Sequence, residues 1–141
     1  MIKMKTIITI GLIICIISGN LYSQSKKKVR NLGIESVTVV KEDYEDSNGK
    51  EFLRSETVFD ENGNIIKLKD YDKTGKLREI VTYEYNSDND KIKEIHYKPN
   101  KKVDETITYS YENGLITERC KYDASNRLIS RKKYIYKFKD N

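Results

Sequence analysis

The chain repeats itself, and the period of that repeat limits the fold more than any other feature of its 141 residues. Two heptapeptides, YDKTGKL at Tyr71 to Leu77 and YDASNRL at Tyr122 to Leu128, are variants of one phrase. A second phrase recurs as VTYEY at Val81 to Tyr85, ITYSY at Ile107 to Tyr111 and KYIYKF at Lys133 to Phe138. Its first tyrosine advances by 26 residues from Tyr83 to Tyr109 and by 25 to Tyr134. A further step of 26 backward reaches Thr57 in ETVF, a degenerate copy. A period of this length marks one supersecondary unit that packs against its own copies.

Each unit holds two turns. One set comprises FDENGNI at Phe59, YNSDNDKI at Tyr85 and YENGLI at Tyr111; the other comprises YDKTGKL, YKPNKKV at Tyr97 and YDASNRL. In each an aromatic leads out and an aliphatic leads back. Asn-Gly at Asn48/Gly49, Asn62/Gly63 and Asn113/Gly114 supplies the positive φ angles of tight hairpins. Thr74/Gly75 and Ser125/Asn126 serve slightly longer loops, and Pro99 falls in a loop where its missing N–H harms no ladder.

Between the turns, character alternates with period two, as in strands with one packed face and one wet face. Leu77, Val81, Tyr83 and Tyr85 oppose Arg78, Thr82 and Glu84; Val103, Ile107, Tyr109 and Tyr111 oppose Asp104, Thr106, Thr108 and Ser110. The pattern predicts an all-β chain of eight strands, near 34–44, 51–59, 65–71, 77–85, 92–97, 103–111, 115–122 and 128–138. Short loops between neighbouring strands make an antiparallel meander of hairpin repeats the expected topology. Such a meander either closes into an up-and-down barrel or stays a curled open sheet. The open sheet is expected, because positions taken to face water, such as Lys67, Lys69, Lys93 and Lys132, crowd the strands.

The start of the chain has a different character. MIKMK followed by the apolar run Thr6 to Ser18 and a short polar exit has the layout of a secretory signal peptide, with cleavage expected after Ser23. The run is too short for a membrane-spanning helix, which takes about 20 apolar residues. Cys15 lies between Ile14 and Ile16, inside the apolar run, where lipid attachment is not expected. The reading divides the chain into a signal peptide at 1–23, a flexible basic leader at 24–33 and one β-repeat domain at 34–141. It implies export to the periplasm or beyond, with no integral membrane segment after cleavage. Lys26, Lys27, Lys28 and Arg30 hold much of the chain's net charge of +5, so the patterned body is close to neutral and nucleic acid is not an expected partner. Cleavage would leave one cysteine, Cys120, which has no internal disulfide partner and is expected as a small core residue beside Ile116 and Tyr122.

YDKTGKL and YDASNRLIS resemble the YD repeat of the Rhs family. Tyr71, Asp72, Gly75, Lys76 and Leu77 fill that pattern; Tyr122, Asp123, Arg127 and Leu128 fill it with Asn126 in place of the glycine. Long members of the family build β-sheet shells. With degenerate copies from Thr57 to Phe138, the resemblance implies a small exported bacterial β-repeat module too short to enclose cargo. The motif is structural and implies no activity.

Candidate chemistry is sparse. His96 is the lone histidine and alternates onto the face of Ile92 and Glu94, where a surface or cross-strand role is expected. Carboxylate pairs such as Glu42/Asp43, Asp60/Glu61, Asp88/Asp90 and Asp104/Glu105 fall mostly in turns, and NSDND lacks the frame of a calcium loop. No catalytic residue, metal site or cofactor is expected, and the chain is not read as an enzyme. Tyr83, Tyr85, Tyr109, Tyr111, Tyr134 and Tyr136 should form a ladder on one face, as core or as a contact surface for an envelope protein, peptide or glycan. The functional expectation is a non-catalytic binding module using that face, with assembly through the edge strands as the alternative. An outer-membrane barrel is disfavoured by charges on both faces.

Overall fold

A computed structural model describes residues 20–44 and 49–139, with side chains described from residue 26 onward. The apolar run read as a signal peptide lies outside these residues. One helix, α1 (Asn20–Asn31), precedes eight strands: β1 (Ser36–Asp43), β2 (Lys50–Phe59), β3 (Ile65–Tyr71), β4 (Leu77–Tyr85), β5 (Lys91–Tyr97), β6 (Val103–Glu112), β7 (Leu115–Asp123) and β8 (Leu128–Lys133). The strands form one antiparallel sheet in chain order, and β1 does not pair with β8, so the sheet is open. Every strand expected from the alternation is present. The last is shorter than expected, ending at Lys133, although Tyr134 N–H still donates to Thr117 O at 3.0 Å.

The recurring turn phrase has a shared geometry. The residue after the aromatic, Asp60, Asp72, Asn86, Lys98 or Asp123, donates its N–H to the carbonyl four residues on and accepts at its own carbonyl from the N–H three residues on. The residue three positions on is left-handed in all five: Gly63, Gly75, Asn89, Lys101 and Asn126, with φ between 60° and 79°. Asp72 Oδ1 also accepts from the N–H groups of Thr74 and Lys76, and Asp123 Oδ1 from those of Ser125 and Arg127. The aspartate of the YD phrase therefore organises its own turn, and Asn86 does the same with its amide oxygen. Asn113 and Gly114 instead form a two-residue turn with φ of 52° and 75°, and Glu112 pairs directly with Leu115. The two turn sets read from the sequence thus differ less than expected, since most share one geometry.

Each of these hairpin connections also skips a residue on the returning strand: Ile66, Arg78, Ile92, Asp104, Thr117 and Ile129. Such bulges raise local twist and re-aim side chains. Register places Val81, Tyr83, Glu94, His96, Ile107, Tyr109, Arg119 and Lys132 on one face. Lys132, expected to face water, is thus on the tyrosine face, where its spacing of two from Tyr134 puts it with no bulge between them. A single-layer sheet buries little: Val81 and Ile107 on the tyrosine face, Ile80 and Cys120 on the other. Cys120 is 3 % exposed, the small core residue expected.

Helix α1 covers most of the stretch expected to be a flexible leader. Its sequence contains no glycine or proline, and Lys28 and Arg30 in its last turn suit the negative end of the helix dipole. The helix stops at Gly33, whose φ is 61°: Gly33 N–H donates to Arg30 O and Ile34 N–H to Val29 O, a Schellman closure that brings Ile34 to the buried Val29. The helix rests on the β2 to β3 turn, where a Cβ on Gly63 would collide with the Lys26 carbonyl, and Lys26 Nζ lies 5.3 Å from the centre of the Tyr85 ring.

Candidate functional site

The six tyrosines singled out by the repeat separate into two rows of different character. Tyr85, Tyr111 and Tyr136 donate their hydroxyls to the backbone carbonyls of Ile65, Lys91 and Ile116 at 2.9, 2.8 and 2.8 Å. Each reaches 20 residues back, to the start of the preceding strand, so this row staples one hairpin after another. At the matching place in β2 stands Phe59, which has no hydroxyl; its N–H donates to Glu35 O at 3.0 Å.

The second row, Tyr83, Tyr109 and Tyr134, lies further into the sheet. Lys91 joins its first two members, Tyr83 and Tyr109. The bulge at Ile92 turns the Lys91 side chain onto the tyrosine face, where its ammonium lies 5.5 Å from the Tyr83 ring centre and 5.1 Å from that of Tyr109. Arg119 adds a second cation 5.9 Å from the Tyr109 ring. Lys91 also pairs with Glu94, which is 12 % exposed at its side chain and accepts from the Tyr109 hydroxyl at 2.5 Å. From Glu94 the chain of contacts continues to His96 Nε2 at 3.4 Å, and His96 Nδ1 meets Glu79 Oε1 at 2.7 Å. His96 therefore takes the cross-strand role expected of it.

The electrostatics of this line follow from burial. Burial works to raise the pKa of Glu94, but the hydrogen bonds from Lys91 and Tyr109 outweigh it and hold the carboxyl below its usual range. Burial, with the hydrogen bond to Glu94, pushes the Tyr109 phenol up. The hydrogen bond with Tyr109 raises Arg119. The line is a string of satisfied ion pairs and hydrogen bonds between rings, and among the described residues it brings no serine or cysteine nucleophile to His96. Among the same residues no cluster of His, Cys, Asp and Glu is arranged to hold a metal ion.

Elsewhere the surface offers a shallow groove of about 250 Å³ lined by Asp70, Arg78, Glu79, Tyr97, Lys98 and Asp104 among others. Most of its charges are paired, with Arg78 3.9 Å from Asp70 and Lys98 3.2 Å from Asp104, and Glu79 leaves one acid in excess among its lining residues. Tyr134 and Tyr136, at the β8 edge, are the more open tyrosines, 40 % and 42 % exposed; Tyr83, Tyr85, Tyr109 and Tyr111 are half-buried. Alternation singled out these six tyrosines as a ladder. It missed Lys91 and Arg119, whose placement depends on a bulge and on register across strands.

No family model matches the chain, and no curated protein matches it. Among solved structures, a DUF3836 family protein from Bacteroides vulgatus ATCC 8482 is similar at 17% identity and a TM-score of 0.33, over 67% of this chain and 89% of that one. A GtfA/B complex bound to UDP and GlcNAc is similar at 18% identity and a TM-score of 0.30; the match covers 68% of this chain and 24% of that one. Likeness at this level carries no argument about fold or function. Among the described residues no helix is long and apolar enough to cross a membrane.

Proposed function

We propose that the chain is a small exported β-repeat module of the YD-repeat kind that acts without catalysis, binding a partner across its tyrosine face. The observation that carries this reading is an uncovered face. Among the described residues the sheet is a single layer, and only α1, near Tyr85, leans on it. Half-buried phenol rings, flanked by Lys91 and Arg119 and crossed by Glu94 and His96, combine flat apolar area with fixed hydrogen-bonding groups. That combination suits an extended peptide or a glycan, which stack on aromatic surfaces and read polar groups between them. Export rests on the N-terminal layout, and a mature chain starting at Gln24 in its own cells is the expected mass-spectrometric result.

The decisive comparison is capture of a partner from envelope extract by the native chain and by Tyr134→Ser. Tyr134 is open enough for its ring to be removed with little loss of folding. Capture should be lost with the melting temperature nearly unchanged. Full capture by Tyr134→Ser together with Tyr83→Ser would overturn the reading, and so would a collapse of folding in Tyr134→Ser, which would make that ring part of the core.

A further inference from the structure

The sheet ends in two strands that each pair on one side only, β1 and β8, and their charges are opposite in sign. In β1, Lys41 is set against Glu42 and Asp43, and Glu35 stands just ahead. β8 carries Arg131, Lys132 and Lys133 with no acid, and Lys137 and Lys139 follow it. We propose that the basic β8 edge of one copy of this chain pairs with the acidic β1 edge of a second copy, joining sheets head to tail.

Direction, charge and surface each support this pairing. In a meander of eight strands, β8 runs antiparallel to β1. A second copy shifted along the sheet therefore continues the alternation without turning over, and the tyrosine faces stay on one side. A stagger that sets Lys132 opposite Asp43 and Lys133 opposite Glu42 keeps this direction and facing, puts the β8 cations against those acids and brings Ile135 opposite Val40. Pairing β8 with another β8 would instead set cations against cations, which destabilises a ladder. Both edges also expose apolar side chains that a new strand would cover: Val40 at 53 % on β1, Ile129 at 55 % on β8, and Ile135 at 91 % just beyond.

The repeat itself marks β8 as an interrupted end. Val81 and Ile107, 26 residues apart, are buried in β4 and β6 by a strand on either side, and one period further on the position is Lys132. Helix α1 rests on Gly63 and near Tyr85, on the β2 to β4 part of the sheet, and among the described residues β1 pairs only with β2. A contact of this heterologous kind does not close on itself, so it generates dimers and then longer arrays.

Sedimentation of the full chain over a wide concentration range tests the pairing. Mass should rise with concentration and fall with added salt. Arg131→Glu/Lys132→Glu/Lys133→Glu alone, and Glu42→Lys/Asp43→Lys alone, should each weaken association by about tenfold or more. Mixing the two variants should restore it, because the reversed β8 then meets the reversed β1; restoration also shows that both variants are folded. A native chain that stays monomeric throughout, association indifferent to both reversals, or a mixture no stronger than either variant alone would overturn the proposal.

Discussion

Glu94 is the residue on which the tyrosine face turns, because it joins Lys91, Tyr109 and His96 from a nearly enclosed position. Its folded pKa is depressed, so its contribution to stability is fully present above the ordinary carboxyl value of 4.5 and is lost as pH falls through the lower folded value. Glu94→Gln should therefore melt lower than the native chain at neutral pH, by about 1 kcal/mol after allowance for partial exposure of Lys91. The difference between the two should shrink below pH 4.5, which melting curves across pH will check. A gap that stays constant with pH would mean that the charge of Glu94 contributes nothing. A second residue-scale case is Lys101, held at φ 65° where the other turns of this kind place glycine or asparagine. The preceding Lys98 also lacks the carboxylate or amide that organises those turns; here Asn100 Oδ1 accepts from Lys102 N–H instead. Lys101→Gly should raise stability by about 1 kcal/mol by relieving the left-handed strain, read as a higher midpoint in urea.

At the scale of elements, the turns and α1 are coupled through Gly63, and a matched pair of substitutions separates the two effects. Gly63 and Gly75 have nearly the same φ, 78° and 79°, but a Cβ at Gly75 would meet nothing within 4 Å, whereas one at Gly63 would strike the Lys26 carbonyl of α1. Both alanine variants should lose about 1 kcal/mol from backbone strain. Gly63→Ala should lose more, and proteases should cut within 20–31 faster in that variant alone; equal losses and equal cleavage would show that α1 is not docked on the turn. The same elements show what the sequence made legible. β3 and β4 begin and end where period-two alternation and turn chemistry place them, because each turn carries its own aspartate or asparagine and its own left-handed residue. Helix α1 was not legible from charge alone, although Asn31-Leu32-Gly33 spells a helix end. The position of Lys91 escaped because a bulge reverses parity without leaving a distinctive residue behind, whereas that of Lys132 was legible in its spacing from Tyr134.

At the scale of the molecule, the choice between barrel and open sheet is decided by what happens at β8. A barrel would cover every strand on both sides, whereas here Ile135 and Phe138 beyond β8 remain 91 % and 78 % exposed and, among the described residues, β1 has no partner on its outer side. An open repeat of this kind is held together mainly by contacts between neighbours, so its stability is distributed along the sheet rather than concentrated in one enclosed core. Among strand residues burial is greatest at Val81, Cys120 and Ile107, which places the strongest part in β4 to β7. Native-state hydrogen exchange should accordingly be slowest in β4 to β7 and quicken toward β1 and β8. The measurement belongs at high dilution, where pairing between copies cannot protect the edges, and repeating it at high concentration should slow exchange in β1 and β8 selectively. Uniform protection across all eight strands at dilution would mean that the sheet opens as one cooperative unit, and the picture of hairpins each supported chiefly by its neighbours would fail.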